Sequence, residues 1–269
     1  MSKISPAPNF ARFLPIAAGA LALLMGTAAM PAQAGDNPGA DLIFDLGAAV
    51  LVKPKFEGAR EALISPTPLF KLKYLRLPGL FTIGGGPDTG LSLWPAFNIV
   101  GKRDANGTSY LRGLGDVDTA YELGLGVSYT HGFVRGMAEV RRGFGGHEGV
   151  VGVVGVDAIL KPVDKLTVEV GPRVTFADSQ YMKTYFGVDA AQATASGYPQ
   201  FDARAGVKSI GIDSKMVYEF TDEWRGQVEA GYSRLVGDAG KSPITARGSR
   251  DQYSLRVGAT YRFSLDLFD

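Results

Sequence analysis

Apolar and polar positions alternate with a period of two along most of the chain after residue 40. The clearest run is Tyr253–Phe263. Tyr253, Leu255, Val257, Ala259, Tyr261 and Phe263 share one face, and Ser254, Arg256, Gly258, Thr260 and Arg262 share the other. Successive side chains of a strand point to opposite faces, so this spacing predicts a strand with one apolar and one polar side. Thr119–Thr130 repeats the pattern, with Thr119 and Tyr121 opening the apolar stripe and Tyr129 ending it. Leu166–Phe176 does the same, with Glu169 and Arg173 on its polar side. Weaker versions run over 41–52, 69–76, 80–86, 91–100, 134–141, 150–161 and 224–233. In 201–220 the phase flips by one residue, which predicts a bulge or turn near Gly211-Ile212-Asp213. No long window carries a helical period.

The spacers between these strands alternate in length. His131-Gly132, 162–165 and 221–223 are short, whereas 101–116, 142–149, 178–200 and 236–251 are long. Outer-membrane barrels have this asymmetry, with short periplasmic turns and long outer loops. The expected fold is therefore all-β: a transmembrane antiparallel β-barrel of about 10–12 strands, with twelve favoured. Gly258, Tyr261 and Phe263 in the last strand match the pattern of a barrel-assembly signal, and that strand is expected to close against 41–52.

The N-terminus sharpens the location. Lys3 and Arg12 precede an apolar run, Phe13–Ala29, and Ala32-Gln33-Ala34 is a small-x-small cleavage site. Residues 1–34 read as a secretory signal, leaving 35–269 as a single barrel domain. Without that segment, 26 basic residues face 27 acidic ones, so the charge balance gives no argument for nucleic acid. There is no cysteine, which excludes disulfides and thiolate metal sites. The chain has 36 glycines in 269 residues, about twice the usual share, which suits a tightly curved wall.

If the apolar face meets lipid, the lumen receives Asp45, Lys71, Lys73, Glu122, Arg135, Glu139, Arg141, Asp157, Glu169, Arg173, Asp202, Arg204, Lys208, Lys215, Glu219, Arg225, Glu229, Arg256 and Arg262. Mixed signs at this density predict ion pairs across the wall, because an unpaired charge in a narrow interior is costly. The slight basic excess would favour anions in any open pore.

Catalytic and cofactor signals are thin. The two histidines, His131 and His147, fall in turns or loops, so a strand-borne Ser–His pair is not expected. A loop site built on His147 and Glu148 is the residual enzymatic reading, and no metal or cofactor set is apparent. Two loops stand out. Tyr181, Met182, Tyr185, Phe186 and Gly187 form an aromatic-rich segment suited to a contact surface or an inward-folded plug. Arg234 and Asp238 form a candidate loop ion pair.

These loops also carry a resemblance. Tyr181-Met182-x-x-Tyr185-Phe186-Gly187-Val188, Ser196-Gly197, Arg234-Leu235-x-Gly237-Asp238-Ala239-x-x-Ser242-Pro243 and the terminal Tyr261-Arg262-Phe263 are similar to the MltA-interacting protein (MipA/OmpV) family. Leu111–Asp116 and Tyr121–Gly124 resemble its middle section, and 35–90 matches more loosely. The resemblance implies a Gram-negative outer-membrane barrel in contact with outer-membrane lipid. It further implies a non-enzymatic scaffold for peptidoglycan-remodelling enzymes, with a murein transglycosylase and a murein synthase as partners. The alternative is a narrow channel or uptake path for small solutes. The family brings no catalytic residues to transfer.

Overall fold

The computed structural model describes residues 40–84 and 90–268. The expected signal segment, and most of the turn expected at 87–90, lie outside these. Eleven strands form one antiparallel sheet: β1 (Leu42–Pro54), β2 (Ala62–Leu77), β3 (Phe81–Gly84), β4 (Gly90–Val100), β5 (Ala120–His131), β6 (Val134–Gly145), β7 (Val150–Val163), β8 (Leu166–Ala177), β9 (Gly206–Glu219), β10 (Trp224–Leu235) and β11 (Asp251–Leu265). Their order is β3-β2-β1-β11-β10-β9-β8-β7-β6-β5-β4. The first and last long strands pair directly, from Leu42 opposite Leu265 to Val52 opposite Leu255. Eleven falls inside the expected range and one short of the favoured twelve.

The count has a simple physical meaning. β3 spans 4 residues, too few to cross a bilayer, whereas β1, β2 and β4–β11 each span 11–16. β3 is antiparallel to β2, and β4 is antiparallel to β5. β2 and β5 run the same way, so β3 and β4 also run the same way. Ten long strands thus alternate in direction, an even number that leaves both ends of the described chain on one side.

The strand faces are inverted relative to a soluble sheet. In β5, Leu125 is 71 % exposed while Glu122 is 1 % exposed. The same outward apolar face continues through Leu93, Phe97, Val140, Val154, Ile212, Met216 and Val228. This is what lipid outside and a polar lumen inside require. Aromatic side chains gather where the chain ends lie. Phe44 stacks on Phe263 with centroids 5.1 Å apart, and Trp224 meets Tyr261 edge-on at 5.2 Å. Gly258 lies where β11 approaches β1 closely, and a Cβ there would press on the Ala48 carbonyl and Ala49.

Several expected boundaries shift. β2 starts at Ala62, ahead of the expected 69, and so incorporates Pro66 and Pro68. Between Ala62 and Lys73 its partner among the described residues is β1, so the other edge makes no demand on a proline N–H. β9 starts at Gly206, not at 201. The phase flip exists, but the bulge falls at Val207–Ser209, where Phe176 pairs with Val207 and Thr175 with Ser209. Lys208 and Ser209 are consequently both buried. Asp202 and Arg204, expected in the lumen, lie outside the strands: Asp202 pairs with exposed Lys183 at 3.3 Å, and the Arg204 amide donates to Asp238 Oδ2 at 3.0 Å.

The long loops fold into a cap with its own core. It contains α1 (Ser179–Phe186), α2 (Ala190–Ser196), α3 (Gly237–Lys241), α4 (Pro243–Arg247) and a 3-10 turn at Ser109–Leu111. Tyr181, Met182, Tyr185, Phe186, Ala203, Leu235 and Ala239 form one buried cluster, and Phe56, Leu111, Leu114, Val188 and Ile244 form another. Each fully buried large apolar side chain contributes about 1.5–3 kcal/mol. At the opposite end Asp41 ties the start of β1 to the segment after β11. Its carboxylate accepts from the amides of Leu267 (3.0 Å) and Phe268 (2.8 Å) and from Arg76 Nε (2.5 Å).

Candidate functional site

Beneath the cap lies a polar chamber of about 310 Å³. Its wall is drawn from β1, β4, β5, β6, β7, β8, β9, β10 and β11, so the sheet curls around it, and Tyr181 contributes from the cap. At the seam between the sheet ends, Lys53 Nζ donates to the Ile99 carbonyl at 2.7 Å. Tyr110 of the cap donates to Glu61 at 3.1 Å.

The cap is seated by two linked polar centres. In the first, Lys208 lies 3.0 Å from Glu57 Oε1 and 3.3 Å from the Tyr181 hydroxyl, with its ammonium 4.7 Å from the Tyr181 ring centroid. Lys208 is inward as expected, and the bulge makes this possible by turning inward a residue that the phase of Ile210, Ile212 and Met216 would turn out. In the second, Glu122 is saturated. It accepts from Arg141 Nε at 2.8 Å and Asn98 Nδ2 at 2.9 Å, and His147 Nε2 lies 3.2 Å away. The Gly149 amide donates to His147 Nδ1 at 3.2 Å, so in the neutral ring Nε2 carries the proton and donates to Glu122. The imidazole lies flat against Gly143, where a Cβ would collide with it. Tyr181 and Tyr185 close over the ring edge-on, at 4.8 and 5.5 Å.

Local sequence explains the helices that carry these aromatics. Asp178 caps α1, accepting from the Tyr181 amide at 2.8 Å. Asp189 and Gln192 form a reciprocal capping box on α2, which ends at Gly197 with φ 74°. Periodicity overlooked both helices because they are short, yet the Asp189-x-x-Gln192 spacing was readable. Gln192 Nε2 then donates to Leu114 O at 2.6 Å, and Ser242 Oγ donates to Phe186 O at 2.7 Å, joining three loops.

Desolvation raises the Tyr181 and Tyr185 hydroxyls well above the usual tyrosine range, and the carboxylates of Glu57 and Glu122 add to it. Arg103 is buried, donating to Tyr185 O at 3.0 Å, and burial pulls it below its usual value.

Around and below the chamber many lumen charges are paired. Arg135 meets Glu169 at 2.8 Å, Arg173 meets Asp157 at 2.7 Å, Arg256 meets Glu229 at 2.5 Å, and Asp45 receives Arg262 at 3.2 Å and Arg225 at 3.4 Å.

Of the residues singled out in sequence, Tyr181, Met182, Tyr185 and Phe186 are brought together in the cap core, and Gly187 ends α1 with its amide on Lys183 O. Arg234 and Asp238 are not brought together. Arg234 sits in β10 and pairs with Asp251 directly across the ladder at 2.7 Å, because register rather than loop proximity sets its partner. His147 is not paired with its neighbour Glu148, which is exposed, but with Glu122 across the strand–loop junction. Among the described residues no group of acidic and histidine side chains could hold a metal ion.

Comparison with solved structures returns outer-membrane barrels at low identity. The translocator domain of the autotransporter NalP from Neisseria meningitidis is 12% identical, over 96% of this chain and 97% of that one, with a TM-score of 0.43. The NanC porin is 11% identical over 82% and 98%, with a TM-score of 0.38. The N-terminal β-barrel domain of Pseudomonas aeruginosa OprF is 12% identical over 64% and 96%, with a TM-score of 0.31. No curated protein matches the chain. The family described as MltA-interacting protein MipA matches residues 46–263, from the first strand to the terminal aromatic. With that match and an inverted, capped β-wall, the chain belongs to the MipA family and is a Gram-negative outer-membrane β-barrel.

Proposed function

We propose that this barrel is a non-enzymatic scaffold that holds a murein transglycosylase at the periplasmic side of the outer membrane, with a murein synthase as a second client. The observation that carries this reading is the state of the lumen charges. Many lumen charges meet a partner of opposite sign, as in Arg135–Glu169 and Arg256–Glu229, where a selective pore would carry a constriction of one sign. The folded cap over the loop end supports the same reading. The family description, which names an MltA-interacting protein, supports the choice of partner. The periplasmic turns are short, and Leu80 (78 %) and Phe133 (67 %) stand exposed there as apolar contacts for a client.

Affinity capture from detergent-solubilised envelopes tests the proposal. A lytic transglycosylase should co-purify with the wild-type barrel and be lost with Leu80→Asp plus Phe133→Asp. Recovery of no murein enzyme, together with steady single-channel conductance of the purified barrel, would replace the scaffold by the narrow solute channel.

A further inference from the structure

The chamber walls are not electrically balanced in the way the lumen below them is. Arg141, Arg173 and Lys208 each line the chamber, and each has a carboxylate within 3.0 Å. Lys53 and Lys55 also line it. Lys53 is near the end of strand β1 and Lys55 lies just beyond it. Lys53 donates to the Ile99 carbonyl oxygen, and neither lysine forms an ion pair with a carboxylate among the described residues. The wall thus carries five basic side chains against three carboxylates, Glu57, Glu122 and Asp213, and these are already engaged by Lys208, by Arg141 and by Arg173, so the excess positive charge favours a bound anion.

The surroundings suit an anion rather than bulk water alone. Asn98, Ser209 and Ser254 add amide and hydroxyl donors to the chamber wall. The volume of about 310 Å³ sits at the small end of ligand pockets. The neighbouring carboxylate Glu122 is saturated by three partners and is not available to neutralise Lys53.

We propose that the chamber is a binding site for a small organic anion, with a carboxylate or phosphate head on Lys53 and Lys55 and an uncharged polar body against Asn98, Ser209 and Ser254. This site is independent of whether a murein enzyme docks on the periplasmic turns.

The test is isothermal titration of the whole, refolded barrel in detergent with three probes: acetate, glucuronate and inorganic phosphate. Glucose serves as the uncharged control. At least one anion should bind saturably at one site per chain, and glucose should not. Lys53→Gln with Lys55→Gln should weaken that binding tenfold or more while heat-modifiable migration of the barrel is kept. Lys53→Arg should retain binding, and Lys161→Gln, at the far end of β7, should leave it unchanged. Absence of saturable binding for all three anions overturns the proposal. So does undiminished binding to a folded Lys53→Gln/Lys55→Gln barrel.

Discussion

Lys208 and Glu57 meet at 3.0 Å although 151 positions separate them in sequence. One sits on a bulge of the ninth strand and the other in the loop after the first, so their contact joins wall to cap. Lys208→Met removes the charge and leaves Glu57 and the Tyr181 hydroxyl without it. The expected loss is about 1–3 kcal/mol, the usual range for a charged hydrogen bond in a partly buried place. It should show as faster limited proteolysis within 178–205, with the heat-modifiable band of the barrel unchanged.

Two neighbouring tyrosines should respond in opposite ways to the same substitution. The Tyr181 hydroxyl contacts Lys208, whereas the Tyr185 hydroxyl is buried without a hydrogen-bond partner among the described residues. Tyr181→Phe should loosen the cap. Tyr185→Phe removes an unsatisfied polar atom and should be neutral or stabilising by up to about 1–3 kcal/mol. Thermal melts of the two variants in the same detergent compare them, and equal losses would contradict the geometry.

The two ends of the barrel should fail at opposite pH extremes. An exposed tyrosine ionises near its ordinary value of 10.0, but burial holds Tyr181 and Tyr185 neutral above it. Their contribution is complete below pH about 10 and is lost as pH rises further, so alkali should open the cap. Asp41 has the reverse sign. Burial would raise its carboxyl, yet the amides of Leu267 and Phe268 and the Arg76 guanidinium outweigh that and hold it below 3.8. Its contribution is present above the ordinary carboxylate value and lost as pH falls through the depressed one. Tyrosinate absorbance should therefore rise together with cap proteolysis in alkali, and acid should first free the C-terminal tail.

Arg234 offers a check on register. A double-mutant cycle of Arg234→Ala with Asp251→Ala should show a small favourable coupling, as exposed pairs do, and the cycle with Asp238→Ala should show none.

Much of the wall was legible because lipid outside and polar lumen inside force strict alternation, as in Tyr121–Tyr129. The start of β2 was less legible, because the tolerance of Pro66 and Pro68 in a strand depends on which edge lies unpaired, a fact of topology. Residue 208 shows another limit. Alternation reveals that a phase flips, but two successive inward residues, Lys208 and Ser209, hide where. The cap centre was the least visible part. Glu122 and His147 lie 25 positions apart, and nothing in their spacing announces contact. By contrast, Asp189 and Gln192 advertised a helix that periodicity passed over.

The last strand should govern assembly. Phe263 stacks on Phe44 and Tyr261 on Trp224, so the terminal aromatics join the final strand to both neighbours. Phe263→Ser or truncation before Tyr261 should abolish membrane insertion in a cell-based fractionation. A truncated chain that still migrates as a heat-modifiable barrel would refute the role assigned to Tyr261 and Phe263.

Asp41 has a consequence of another kind. It receives the amides of Leu267 and Phe268, residues 226 and 227 positions away, so the described chain begins and ends at one carboxylate. The start of β1 and the end of β11 are therefore neighbours on the same side of the sheet. A permuted chain, linked across Asp41 and Phe268 and opened in the tight turn at Asp164–Lys165, would keep every ladder of the wall.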